Sequence, residues 1–184
     1  MPDISEDMDH GERIAANAGA EKEAWAATLD DMRALAAEYE EQGWETITIQ
    51  AGDTTPRGDH EGGTFGLYFL TPGNKADAFV DAVEAGEFPQ YEVYRAEQDG
   101  TVFLVLELLD PETETAIFVA GTFALRNSLA CAKKAADEGE IYTHLHTLDG
   151  ALLGSFRHAD YEDFFPSITA VEDWADVDES AMNY

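Results

Sequence analysis

The sequence predicts an α+β domain in which helices pack on a mostly antiparallel sheet, with the element order αββαβββαββ. Three observations predict it. Apolar residues recur at helical spacing from Trp25 to Tyr39, ahead of every strand-like run. Short runs rich in β-branched and aromatic residues then follow one another, and two junctions between them, Asp99-Gly100 and Asp149-Gly150, carry the dipeptide of tight hairpins. The chain has 184 residues, 45% of them hydrophobic, which suits one globular core.

Each element has its own signal. Trp25, Leu29, Met32, Leu35, Ala36 and Tyr39 form one stripe on a helix from about Ala20 to Gln42, and Gly43 stands where a C-cap glycine would. A strand runs from Trp44 to Gln50. Ala51–Gly63, rich in Gly, Asp and Thr and holding Pro56, reads as a mobile loop that includes Arg57 and His60. Phe65–Thr71 reads as a buried strand. A helix starts at Asn74, with Asp77 three residues on as a capping box, and stops at Gly86. Tyr91–Ala96, Thr101–Leu109 and Glu114–Thr122 are three successive strands, the middle one central. A helix spans Phe123 to Glu138, with Gly139 past its end. A hairpin of Glu140–Leu148 and Ala151–Arg157 follows, then a helical turn near Tyr161–Phe165. Residues 1–20 read as an acidic mobile tail, 21–166 as a single domain, and 167–184 as an acidic C-terminal tail on which Val171 and Trp174 could dock.

Charge sets the strongest bound on function. There are 39 acidic and 10 basic residues, a formal net charge of −29. Such a surface repels phosphate backbones and anionic headgroups, so neither nucleic acid nor a membrane is an expected partner. The acids occur in almost every predicted helix, turn and loop rather than in one block. Uniform spread fits adaptation to molar salt, where the Debye length falls to about 3 Å and self-repulsion is screened. The single cysteine, Cys131, excludes an intramolecular disulfide, and the N-terminus lacks an apolar signal core, so a cytoplasmic location is expected.

The terminal hairpin is the most informative segment. A two-residue Asp149-Gly150 turn would pair Leu148 with Ala151, His146 with Leu153, His144 with Ser155 and Tyr142 with Arg157. Tyr142, His144, His146, Ser155 and Arg157 then share one polar face, while the more apolar face packs on the core. These five are the candidate ligand-binding residues. Two imidazoles without a placed third ligand do not make a zinc site, and His158 falls on the other face, so no metal and no cofactor is expected. His144 opposite Ser155 lacks a nucleophile elbow, an oxyanion hole and an orienting acid, which favours a cross-strand hydrogen bond over a catalytic pair. Arg126, Lys133 and Lys134 are candidates for an anion or partner site, because Arg126 and Lys133 are seven apart on the third helix. The alternative is that the lysines complement the helix dipole while Arg126 pairs with an acid. Glu107, alone in the apolar central strand, has two readings: a buried acid with a raised pKa, or, the commoner case, a residue that pairs with an arginine or marks a side of the sheet that reaches water.

Up to Gly139 the element order resembles the roadblock/profilin-like group of small α+β domains. The runs Pro72-Gly73-Asn74-Lys75-Ala76, Tyr91-Glu92-Val93-Tyr94-Arg95-Ala96, Tyr142-Thr143-His144, Leu148-Asp149-Gly150 and Gly154-Ser155-Phe156-Arg157-His158 are similar to an uncharacterised protein family of halophilic archaea. That resemblance implies life in high salt and no particular activity. The leading expectation is a non-enzymatic module that binds a protein or a small ligand, with a homodimer expected from open sheet edges and the long apolar helix stripe. The alternative is an enzyme or metal-binding protein that uses the polar face of the terminal hairpin.

Overall fold

The computed structural model describes residues 4–59 and 63–173, with side chains from residue 18 onward. Trp174 and His60 therefore lie outside the described residues. The order is α1 (Ile4–Glu41), β1 (Glu45–Gln50), β2 (Thr54–Arg57), β3 (Gly66–Leu70), α2 (Gly73–Ala85), β4 (Gln90–Gln98), β5 (Thr101–Asp110), β6 (Thr115–Ala124), α3 (Leu129–Glu138), β7 (Ile141–His146) and β8 (Leu152–His158). A 3-10 turn, Leu125–Asn127, precedes α3, and another, Tyr161–Asp163, follows β8.

The α+β class holds, and four of the six strand pairings are antiparallel. The strands form two mixed four-stranded sheets, ordered β1-β6-β5-β4 and β2-β3-β7-β8. In each sheet one parallel pairing, β1 with β6 or β3 with β7, joins segments distant in sequence. Local hairpin signals carry no information about such pairings, which is why the sequence suggested a single sheet.

Strand β5 shows how the layers stack. Val102, Leu104, Leu106 and Leu108 face the second sheet, where they meet Leu67, Phe69, Ile141 and Leu145 in the main core. The alternate residues Val105 and Leu109 face α1 and pack with Leu29, Met32 and Ala36, the stripe expected from helical spacing. Gly121 of β6 sets how closely the sheets meet. A Cβ there would lie 2.7 Å from the Phe69 ring, so only glycine fits without displacing that ring. Phe79 of α2 and Cys131, Ala132 and Ala135 of α3 complete the main core, together with Val171, which is fully buried in the helical segment 168–173.

Four expectations need correction. Residues 54–57 form an edge strand rather than loop, because Thr54 and Thr55 suit an extended chain and Pro56 is tolerated on an edge. Helix α1 begins at Ile4, so helix extends into the segment read as a tail; its run of Ala and Glu favours helix. Helix α2 begins at Gly73, with Pro72 at its cap and no side-chain cap bond, so Asn74 caps nothing. Phe123 and Ala124 belong to β6, where they pair with Val102 and Thr101, and α3 starts only at Leu129.

Glu107 is 2% exposed and has no arginine partner among the described residues, so of the two readings the buried acid holds and the commoner one does not. It sits directly across from Glu92 on β4. Burial first, then the charges of Glu92 and of Glu38 on α1, push its carboxyl up to about 7. The native state therefore holds this proton more tightly than the unfolded chain. The stability it confers is complete below the ordinary carboxyl range and is lost as pH rises through about 7. Replacing Glu107 with Gln should leave stability unchanged in acid and raise it above that pH by about 1–2 kcal/mol, after allowance for partial solvation. Chemical denaturation of both proteins across pH measures the difference.

Candidate functional site

The outer face of the second sheet carries the candidate site. Alternation along β7 turns Ile141, Thr143 and Leu145 inward, all fully buried, and leaves Tyr142, His144 and His146 on the opposite face. The partners Tyr142↔Arg157 and His144↔Ser155 are those expected from the sequence. They arise differently, however. The hairpin loop has three residues, Leu148 to Gly150, closed by the Thr147 N–H on the Ala151 carbonyl at 2.9 Å, with Gly150 at φ 88°. This shifts the register by one residue. His146 pairs with Leu152, and the next pair is Leu145 with Gly154, so Leu153 is bulged out and the register is restored. Leu153 consequently packs on the core, whereas Leu152, 60% exposed, lies beside His146.

His144 is only 3% exposed although it is on the outer face. Its ring is stacked on Tyr68 of β3 at 4.4 Å, and Tyr142 lies nearly parallel at 6.1 Å. The Arg57 guanidinium sits 4.9 Å from the centre of the Tyr68 ring. Burial raises the Tyr68 phenol above its ordinary range, and the Arg57 charge pulls it the other way. Both nitrogens of His144 have partners. Nδ1 is 2.7 Å from Ser155 Oγ, and Nε2 is 3.2 Å from the Phe65 carbonyl oxygen. A carbonyl can only accept, so Nε2 carries the hydrogen; in the neutral ring Nδ1 is then the acceptor and the Ser155 hydroxyl donates to it. Gly66, at φ 140°, brings this stretch against β7, since a Cβ there would collide with the Tyr142 carbonyl. By the same logic His146 donates from Nδ1 to the Thr147 carbonyl at 2.9 Å.

These groups surround an open cleft of about 580 Å³, lined by Arg57, Tyr68, Tyr142, His144, His146 and Ser155 and walled by Leu148 and Leu152. Among the described residues, no aspartate or glutamate lines it. Arg57 forms no ion pair among the described residues, as is also true of Lys22, Lys75, Arg95 and Arg126, whereas Arg33, Lys133, Lys134 and Arg157 each hold a carboxylate.

The structure thus brings together Tyr142, His144, His146 and Ser155. Arg157 stands apart, bound to Glu140 outside the cleft. Arg126 lies in the 3-10 turn before α3 and shares no helical face with Lys133. Lys133 pairs with Glu172 at 3.9 Å, and Lys134 with Glu138 at 3.2 Å and Asp59 at 3.3 Å. Arg57, Tyr68 and the Phe65 carbonyl are the functional groups that sequence reasoning missed. The signal available was the Thr54-Thr55-Pro56-Arg57 run, extended by composition but masked by the glycines around it. His158, on the inner face, is a contrast. Burial pushes its imidazole down to about 4, and it stays neutral against Thr143 Oγ1 at 2.7 Å.

A metal at the histidine pair would have to displace Ser155 or Phe65 from His144. Calorimetry with zinc should therefore show no tight, stoichiometric binding, and His144→Ala should leave the titration unchanged. A stoichiometric complex lost in that variant would show a metal site instead.

No helix among the described residues is long and apolar enough to cross a membrane. No curated protein and no solved structure matches the chain. A family described as being of unknown function, DUF7529, matches residues 11–166, most of the chain's length, and the chain belongs to that family.

Proposed function

We propose that the chain is a small-ligand-binding module and that the cleft over Arg57, Tyr68 and His144 takes a small organic anion. The observation that carries this reading is Arg57: a guanidinium seated over an aromatic ring, with no carboxylate partner among the described residues, in a chain of net charge −29. Elsewhere the acidic surface repels anions. Here a guanidinium, a phenol, an imidazole and a hydroxyl converge instead, and two exposed leucines supply apolar area for the body of a ligand. A panel of small carboxylates and phosphate esters, scanned by thermal unfolding, tests it. A true ligand at about 100 times its dissociation constant stabilises the fold by about 2.7 kcal/mol. That gain should vanish in Arg57→Ala and shrink in His146→Ala. No stabilisation by any member of the panel would remove the reading.

The setting we propose for this module is a cytoplasm of molar salt in a halophilic archaeon. Its support is the spread of acids through α1, α2, β4 and the turns, together with the family resemblance of the hairpin motifs. Circular dichroism should show the fold at molar KCl and its loss in dilute buffer. Equal stability in both would point to a specific basic partner instead. The open edge β4, with Tyr94 44% exposed, is the surface on which a second copy of the chain would pair.

A further inference from the structure

We propose that Ser155 is an acyl-accepting nucleophile, that His144 is its general base, and that the cleft turns over small esters bearing a negative charge. This rests on the cleft being a ligand site and adds chemistry to it. The geometry points that way through the direction of the hydrogen bonds. Because the Phe65 carbonyl fixes the proton on Nε2, the lone pair of Nδ1 faces Ser155 Oγ at 2.7 Å, the arrangement needed to take the serine proton. The Phe65 carbonyl occupies the place that an orienting carboxylate holds in a triad. Stacking on Tyr68 at 4.4 Å fixes the ring plane. His144 is buried, yet Ser155 is exposed on the edge strand β8, so a substrate can reach Oγ without moving the base. Arg57, in the same cleft, would hold the negative group of the ester.

In the first half-reaction Ser155 Oγ adds to the ester carbonyl carbon while its proton passes to His144 Nδ1. The adduct collapses, the bond to the alcohol oxygen breaks, and that oxygen takes the proton from Nδ1. Water then adds to the acyl carbon and gives a proton to Nδ1. The acid departs as the bond to Oγ breaks, and Oγ recovers the proton.

The test is the full chain in molar KCl with a fluorophosphonate, read by intact mass and peptide mapping. One adduct, placed on Ser155, is expected. Ser155→Ala should abolish it, and His144→Asn should slow it about 100-fold, the scale of a lost general base. Circular dichroism checks that each variant is folded. Hydrolysis of the 4-nitrophenyl monoester of succinic acid, taken as the excess over its carboxylate-assisted rate in protein-free KCl, should exceed the corresponding excess for 4-nitrophenyl acetate and fall in the same variants. Absence of label on Ser155 in the wild-type protein overturns the proposal whatever the variants do, and so does labelling that His144→Asn leaves unchanged. If anions still stabilise the unlabelled protein, only the nucleophile falls; if they do not, the ligand site falls with it.

Discussion

The pairing of β5 with β6 governs the rest of the molecule, because both faces of this ribbon are buried. Leu104, Leu106, Ile117 and Val119 meet the second sheet, and Val105, Phe118 and Ala120 meet α1. A two-residue period with apolar groups at almost every position has no solvent face, so the ribbon can only be an interior layer. Once it is interior, α1 must cover one side and a second sheet the other. Gly121 then lets the second sheet come close, and the outer face of that sheet becomes the surface on which a site can be built.

The outer face gains its order from rings rather than from another layer of backbone. Tyr68, His144 and Tyr142 lie side by side across β3 and β7, with the Phe65 ring edge-on to Tyr142 at 5.5 Å. Their mutual faces shut water away from His144 while their polar edges stay turned to the cleft. The same residue type on the inner face behaves differently. His158, among Tyr91, Phe164 and Thr143, is kept neutral by burial. The two histidines differ because His158 pairs with the inward-facing Ile141, whereas His144 lies on the outer face of β7.

Much of this was legible in the chain, and the limits have physical causes. The stripe from Trp25 to Tyr39, the central strand around Leu104 and the polar face of the hairpin follow from periodicity, which is local. The short strand β2 was not legible, because Gly52, Gly58 and Pro56 mask a pairing that only β3 can supply. Nor were the parallel pairings, which join residues far apart in sequence. The contribution of Arg57 and Phe65 to the site depends on those pairings and was hidden with them. Arg126 illustrates the opposite error: helical spacing was counted through a 3-10 turn and Ser128, which precede the start of α3 at Leu129.

The three-residue loop and the bulged Leu153 act as a matched pair. The loop displaces every residue of β8 by one place, and the bulge displaces it back, so Ser155 meets His144 only because both irregularities are present. Chain length at the hairpin tip is therefore coupled to the His144–Ser155 hydrogen bond about 13 Å further along the strand, without any contact between them. With the sequence unchanged, a two-residue turn alone, or a regular strand alone, would turn Ser155 and Arg157 to the core and Phe156 to the solvent. Both changes together would leave the face intact.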